Sequence, residues 1–237
     1  MNFAEQNIVI IGGSSGIGLT TARLVRGLGA RVTITGTTGP KVQEAAASLG
    51  EDVRAVTADV TRAEDVRRVF AGLDRVDHVY LAAGRLTLGK IVDGDLAAFR
   101  REVEERIFGA IHVVREALPK MQAGSITLTS GIRASRPLPG TLITAIAVDA
   151  MEVMARGLPL EIAPVRVNAV SFGWIDTPLV RGLLGDGFDA VIGKEAAALP
   201  AKRIGTVDDA AQAVAFLMGN GFVNGEVLHV DGGGRMV

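Results

Sequence analysis

The sequence predicts a doubly wound α/β fold, in which a seven-stranded, mainly parallel sheet is covered by helices on both faces. Short β-branched runs alternate with longer segments of helical periodicity along the chain. Strands that alternate with helices form parallel sheets through right-handed crossovers. The 237 residues are 48% hydrophobic, which suffices for one large core, and we therefore expect a single domain over residues 1–237.

The predicted elements follow one another regularly until residue 170. The strands are residues 8–11, 32–34, 53–56, 78–81, 125–128, 165–170 and 227–230. The helices are residues 16–29, 40–49, 61–72, 95–119, 140–163 and 206–219. Residues 174–200 break the alternation and contain Gly182, Gly185 and Gly187, so we expect a long loop there that acts as a lid.

Two predicted helices have different apolar patterns. In residues 95–119 the apolar side chains recur every three and four positions, which predicts one core-facing side. Residues 140–163 are apolar almost all round, which predicts burial on two sides. We expect a subunit interface to supply the second side.

Composition and charge exclude several classes of partner. The 25 basic and 26 acidic residues nearly cancel, so no net field attracts nucleic acid or an anionic membrane. Asp149, Glu152 and Arg156 interrupt the most apolar helix, which argues against a membrane span. The first seven residues lack the basic start of a signal peptide. We expect no membrane partner and a small-molecule substrate.

Metal binding and disulfide formation are not expected from the residue types present. The chain has no cysteine, which excludes disulfides and thiolate sites and favours a reducing, cytoplasmic compartment. His78, His112 and His229 lie on separate elements without the spacing of metal ligands. We therefore expect no metal.

A glycine-rich turn lies between the first strand and the first helix. Gly12, Gly16 and Gly18 have the spacing G-x-x-x-G-x-G and enclose Ser14, Ser15 and Ile17. Glycines in such a turn allow tight bending and close ligand approach, and free N–H groups at a helix start favour a diphosphate. The turn therefore predicts a dinucleotide-binding loop.

The end of the second strand bears on the choice of dinucleotide. A carboxylate there usually binds the ribose 2′-hydroxyl of NAD(H), but here the strand is followed by Thr37 and Thr38. Small hydroxyl residues leave room for a 2′-phosphate, so NADP(H) is favoured over NAD(H). After the third strand, Asp59 with Val60 is placed to bind adenine, and an N-cap role for Asp59 is an equal alternative.

Several motifs together resemble the short-chain dehydrogenase/reductase family, over nearly the whole chain. The glycine spacing is that of the family, and Leu81-Ala82-Ala83-Gly84 stands where the family has Asn-Asn-Ala-Gly. Residues 126–130 resemble the strand that ends in its catalytic serine, residues 165–178 its nicotinamide-facing loop, and residues 225–233 its last strand. The resemblance implies a Rossmann-like fold and a homodimer or homotetramer. It also implies cofactor contacts from Ala83, Gly84, Ile175 and Thr177.

The catalytic positions of the family are largely changed. Ser130 matches the serine, but the tyrosine thirteen residues later falls on Ile143 and the lysine four residues further on Ala147. Residues 131–152 contain neither tyrosine nor lysine, and the single tyrosine, Tyr80, is expected in the core. The family's asparagine maps onto Arg106. We interpret Arg106 as a residue that binds a developing oxyanion or a substrate carboxylate, with a solvated or structural role as the alternative.

Two functions therefore remain open. The first is an NADP(H)-dependent oxidoreductase of unconventional mechanism that uses Ser130 and Arg106 on a carbonyl or activated double bond. The second is a non-catalytic dinucleotide-binding sensor or the inactive partner subunit of an oligomer. Arg133 and Arg136 flank the same region and suggest either an acidic substrate or a surface role. Trp174 and Phe188 are expected to line the substrate cavity if the lid closes.

Overall fold

All seven strands lie in one sheet whose neighbouring strands are parallel. The computed structural model describes residues 1–237, the whole chain. The strands are β1 (Asn7–Ile11), β2 (Arg31–Gly36), β3 (Arg54–Thr57), β4 (His78–Leu81), β5 (Ser125–Gly131), β6 (Arg166–Phe172) and β7 (Val227–Val230). Their order is β3-β2-β1-β4-β5-β6-β7, with parallel pairing throughout. The predicted doubly wound fold is confirmed, although β3 begins one residue later than expected.

Helices cover both faces of the sheet. They are α1 (Gly16–Gly27), α2 (Gly39–Leu49), α3 (Ala63–Ala71), α4 (Leu96–Val103), α5 (Gly109–Ala117), α6 (Leu142–Glu161), α7 (Pro178–Leu184), α8 (Phe188–Ala198) and α9 (Val207–Gly219). One apolar core packs α3, α5 and α6 against the sheet, and the other packs α1, α2 and α9 against the opposite face. Burial on both faces explains why consecutive residues of β1, β2, β4, β5 and β6 are buried, rather than every second residue.

The predicted helix at 95–119 is divided by a wider turn. A π-helical turn, Glu104–Phe108, separates α4 from α5, and Arg106 lies at its centre. A π turn shifts the side-chain register and is frequent at functional sites. The apolar periodicity continues through the turn, so a regular repeat in the sequence did not reveal it.

The prediction of a long loop at 174–200 was wrong, because this segment is mostly helical. Thr177 caps α7, its Oγ1 accepting a hydrogen bond from the Val180 backbone N–H at 3.2 Å, and Pro178 occupies the first turn. A threonine followed by proline is a helix-start pattern. Leu179, Leu183 and their neighbours on α7 nonetheless cover one cavity, as a lid would.

The outer side of α6 is exposed in the single chain. Large apolar side chains there are between 44% and 87% accessible: Leu142, Ile146, Val153 and Leu160. The expected burial on two sides is therefore not met within one chain, and the homo-oligomer stays a prediction. None of the helices is both long and apolar enough to cross a membrane.

Candidate active site

A cavity opens at the carboxyl ends of the strands, where β1 and β4 are neighbours and the strand order reverses direction. Such a switch point is where doubly wound sheets bind ligands. The cavity has a volume of about 590 Å³ and extends from the glycine turn to the ends of β5 and β6. Its wall includes most of the predicted site residues, namely Gly12, Ser14, Ser15, Gly16, Ile17, Gly18, Thr37, Asp59, Val60, Ala83, Gly84, Arg106, Ser130, Ile175 and Thr177.

The glycine turn has the geometry of a diphosphate cradle. Gly12 has φ of +85°, and a Cβ atom there would lie 2.7 Å from the Ala83 backbone nitrogen. A Cβ atom at Gly18 would overlap the Gly12 carbonyl oxygen. Ser15 is the N-cap of α1 but makes no side-chain capping bond, and the first turn has no acidic residue. The first N–H groups of this 12-residue helix are thus uncapped and suit an anionic diphosphate.

The end of β2 offers hydroxyl groups but no carboxylate. Thr37 lines the cavity, whereas Thr38 does not and instead is the N-cap residue of α2. The expected contact from Thr38 is therefore not supported by its position. A Cβ atom at Gly36 would lie 2.7 Å from Ser14 Oγ, so glycine keeps the serine hydroxyl at this edge.

The carboxylate of Asp59 is held by its own neighbours. It accepts hydrogen bonds from Arg101 Nη2 at 2.5 Å and from the backbone and hydroxyl of Thr61 at 3.0 and 2.8 Å. Burial opposes ionisation, but these bonds outweigh it and hold the pKa of Asp59 below its usual range. The N-cap alternative was wrong, because Arg62 is the N-cap residue of α3.

Ser130 and Glu152 form a hydrogen-bonded pair at the end of β5. Ser130 is 3% exposed and lines the cavity, and its hydroxyl donates to Glu152 Oε1 at 2.8 Å. Glu152 projects from α6, is half-buried and stands behind Ser130 rather than on the cavity wall. From sequence, Glu152 was interpreted only as a charge that argues against a membrane span. Glu152 lies eight residues, about two helical turns, after Thr144. This spacing was the signal in the sequence that could have placed the two side chains near each other on α6.

The positions on α6 that face the cavity are Thr144 and Val148. Neither Ile143 nor Ala147, the positions counted from Ser130, lines it. The two positions that line the cavity have the same four-residue spacing and lie one residue later in the chain than the positions counted from Ser130. The groups that replace a tyrosine and lysine here are thus a threonine hydroxyl and a valine.

Arg106 and Glu102 form a buried pair beside Thr144. Glu102 is fully buried, and its Oε2 accepts from Thr144 Oγ1 at 3.0 Å and from the Thr87 backbone N–H at 2.9 Å. Its Oε1 lies 3.8 Å from Arg106 Nε, and neither atom has a hydrogen-bond partner. Burial lowers the pKa of Arg106, and the Glu102 charge opposes this effect. Arg106 therefore points inward, as the oxyanion-binding hypothesis requires.

The guanidinium of Arg106 is fixed against the turn after β4. Its Nη2 donates to the Arg85 carbonyl oxygen at 3.0 Å and its Nη1 to the Thr129 carbonyl oxygen at 3.4 Å. A Cβ atom at Gly84 would lie 2.7 Å from the Arg106 Cζ atom, so glycine leaves the space that this side chain fills. Tyr80 is fully buried, as predicted, and burial raises the pKa of its hydroxyl, which disfavours ionisation.

The outer end of the cavity is mostly apolar. Trp174 lines it as predicted, whereas Phe188 is buried behind α7 and does not. Arg133 also lines it, but Arg136 is exposed outside the wall, where its Nη1 donates to the Gly234 carbonyl oxygen at 2.6 Å. Only one of the two arginines expected near this region thus faces the cavity.

Comparisons with known proteins agree with this architecture. The family model described as enoyl-(acyl carrier protein) reductase matches residues 12–234. Among curated proteins, cis-4-hydroxycyclohexanecarboxylate dehydrogenase of Sinomonas cyclohexanicum is 33% identical over 98% of this chain and 97% of its own. A solved short-chain dehydrogenase/reductase family protein is 33% identical, with a TM-score of 0.91 and complete coverage of both chains.

A second solved structure bears on the ligand. It is a small-chain dehydrogenase in complex with NADPH, 28% identical, with a TM-score of 0.86 over 98% of this chain and 100% of that one. The extent of these matches shows the family and its oxidoreductase character. The chain belongs to the short-chain dehydrogenase/reductase family.

Proposed function

We propose that the protein is an NADP(H)-dependent oxidoreductase that interconverts a carbonyl and an alcohol on a small molecule. The observation that carries this proposal is the single cavity that joins the glycine turn to Ser130 and Arg106. One end fits a dinucleotide diphosphate, and the other holds a hydroxyl donor and a cation where a substrate oxygen binds. The relative solved with NADPH supports the choice of cofactor class.

The cofactor is held by the residues of the wall between these ends. The uncapped start of α1 would bind the diphosphate. Asp59 and Val60 would contact the adenine, and Thr37 would contact the 2′-phosphate. Ala83, Gly84, Ile175 and Thr177 enclose the nicotinamide end. The chemistry that a reduced dinucleotide would supply there is hydride transfer to the carbonyl carbon.

The proton reaches the substrate oxygen through Ser130. In carbonyl reduction, Ser130 Oγ would give its proton to the oxygen and take one from a protonated Glu152, which reverses the direction of the 2.8 Å hydrogen bond that Ser130 donates in the structure. Glu152 is half-buried, so its carboxyl group is not closed off from solvent. In alcohol oxidation the same steps run backwards, with the Glu152 carboxylate as the base.

Arg106 stabilises the negative charge that develops on the oxygen. Its guanidinium is held by two backbone carbonyl oxygens and by the Glu102 charge, so it cannot swing out to solvent. A fixed cation in a water-poor site stabilises a developing negative charge far more than a cation in solution does, because the surrounding groups need not reorient during the reaction. Glu102 acts through Arg106 and is a positioning residue.

The first experiment separates binding from turnover. We would titrate the full chain with NADPH and NADH by calorimetry, then offer ketones, diketones and enones with NADPH deuterated at each face of C4. Stereospecific transfer of deuterium that Ser130→Ala reduces at least tenfold supports the proposal. Tight NADPH binding without transfer to any compound would overturn it in favour of the non-catalytic sensor or partner subunit.

Two further properties belong to the proposal. The absence of cysteine supports a reducing, cytoplasmic location, and the exposed apolar side of α6 supports a homodimer or homotetramer. The matched family description and the Sinomonas relative name different substrates, so the names alone do not choose one.

A further inference from the structure

The charged residues of the cavity wall are almost all neutralised by partners within the protein. They are Asp59, Arg85, Glu105, Arg106 and Arg133. Arg85 is paired with Glu105 at 2.7 Å, Asp59 with Arg101 at 2.5 Å and Arg106 with Glu102 at 3.8 Å. Arg133 is the exception, since no carboxylate oxygen lies within 4.0 Å of its guanidinium and no salt bridge includes it.

The guanidinium of Arg133 has few hydrogen-bond acceptors within the protein. The guanidinium is half-buried, and its one hydrogen bond within the protein runs from Nη1 to the Arg136 carbonyl oxygen at 3.1 Å. The indole of Trp174 lies beside it, with the ring centroid 5.9 Å from Arg133 Cζ. Burial lowers the pKa of Arg133 and the Glu195 charge opposes this effect, but Glu195 makes no salt bridge with Arg133 and its Oε2 accepts from Trp174 Nε1 at 2.9 Å. Nε and Nη2 of Arg133 therefore remain free for a ligand.

The surroundings define what kind of ligand fits. Around Arg133 the wall is apolar, through Ile132, Leu138, Trp174, Leu179, Leu183 and Leu184. A partly desolvated cation without a carboxylate in direct contact is unfavourable, and a bound anion relieves that cost. A planar guanidinium whose Nε and Nη2 are free matches the two oxygens of a carboxylate.

The position of Arg133 relative to Ser130 links the anion site to the reaction. The two residues are three positions apart, so their Cα atoms are separated by at most about 11 Å. One small molecule can span that distance. We infer that the substrate is a small carboxylic acid with an apolar body, whose carboxylate binds Arg133 while its carbonyl or alcohol carbon faces Ser130. This inference rests on the proposed oxidoreductase function and names its substrate class.

The test measures binding to the NADP-loaded full chain and does not require turnover. The probes are ω-phenylalkanoates with three to six carbons in the acid chain, each compared by calorimetry with its primary amide and with the phenylalkyl phosphate of equal length. We expect at least one acid to bind ten times or more tightly than its amide. Arg133→Gln should abolish that preference, and Arg133→Lys should keep part of it because the charge remains.

Arg136→Gln is the matched control, since Arg136 lies three residues away and outside the cavity. It should keep the wild-type preference. Equal binding of every acid and its amide, equal effects of the two glutamine variants, or tighter binding of the phosphates would each overturn the inference. NADPH titration and deuterium transfer to uncharged ketones in the same samples report on the oxidoreductase proposal separately.

Discussion

Ser130 donates a 2.8 Å hydrogen bond to Glu152, an acid that reaches the strand end from α6, two helical turns beyond Thr144. The hydroxyl lies on the cavity and the carboxyl group lies behind it, so the pair connects the cavity with the half-exposed side of α6. A serine hydroxyl alone is a weak acid. A carboxyl group at hydrogen-bond distance can replenish the proton of the serine hydroxyl. The Ser130–Glu152 pair thus provides a proton source, which Thr144 and Val148 do not.

Glu152→Gln tests this proton path. We expect kcat to fall by about 10²-fold or more, because a positioned acid contributes roughly 10²–10⁴-fold, while KM changes little. Ser130→Ala should have a similar effect, and the double variant should be no worse, since the two groups act as a unit. The control is Asp149→Asn, an exposed change on the same helix. Steady-state kinetics of these variants test the expectation. A Glu152→Gln enzyme as active as the Asp149→Asn enzyme would refute the proton path through Ser130 and Glu152.

The buried Glu102–Arg106 pair should show strong coupling in stability. Arg106→Met leaves the Glu102 carboxylate buried without its cation, and we expect a loss of about 3–5 kcal/mol in the free energy of unfolding. Adding Glu102→Gln should recover part of that loss, because the uncompensated charge is removed. Urea unfolding of both single variants and the double variant gives the coupling energy. Strictly additive losses would mean that the two side chains do not interact.

The choice of cofactor can be reversed at Thr37. Thr37→Asp places a carboxylate at the end of β2, where it repels a 2′-phosphate and accepts from a ribose 2′-hydroxyl. We expect the ratio of the NADPH and NADH dissociation constants to shift at least tenfold towards NADH. Thr38→Asp is the matched control, because Thr38 is the N-cap of α2 and lies off the cavity, where aspartate is well tolerated. Equal shifts in both variants would place the 2′-phosphate elsewhere.

His78 should make the protein sensitive to mild acid. Burial lowers its pKa from 6.5 to about 4, and its ring nitrogens bond Ser125 Oγ at 2.8 Å and Gln6 Oε1 at 3.0 Å. The unfolded chain binds the proton more readily, so stability is complete above pH 6.5 and is lost as the pH falls towards 4. The expected slope is about 1.4 kcal/mol per pH unit within that window.

Denaturant titrations between pH 4 and 8 check this expectation. His78→Gln removes the titrating group and should flatten the dependence, whatever its own cost in stability. His229→Gln, which changes a half-buried histidine of β7, should keep the wild-type slope. If His78→Gln retains that slope, another group is responsible for the acid sensitivity.

The fold and the residues that line the glycine-turn end of the cavity were predictable from sequence, because both depend on local patterns. The glycine spacing after β1 and the hydroxyl residues after β2 stand next to the elements that position them. Ser130–Glu152 and Glu102–Arg106 were not predicted as pairs. The first joins residues 22 positions apart across a strand and a helix, and the second depends on a π turn hidden within a regular apolar repeat. Side-chain partners of this kind are set by packing rather than by spacing.

The register of α6 decides which residues would restore a tyrosine and a lysine to the site. Because Thr144 and Val148 line the cavity, we expect Thr144→Tyr with Val148→Lys to raise carbonyl reduction at least tenfold. The phenol then extends into open cavity space, and the ammonium favours the ionised form of the phenol and lowers its pKa. The matched control is Ile143→Tyr with Ala147→Lys, one position earlier on the helix. It should give no gain, because neither Ile143 nor Ala147 lines the cavity.

Kinetics and thermal unfolding of both pairs are measured together, so a loss of folding is not mistaken for a loss of catalysis. A gain confined to the pair at 144 and 148 supports the orientation of α6 seen here. A larger gain from the pair at 143 and 147 would contradict it, and would favour the count of thirteen residues from Ser130.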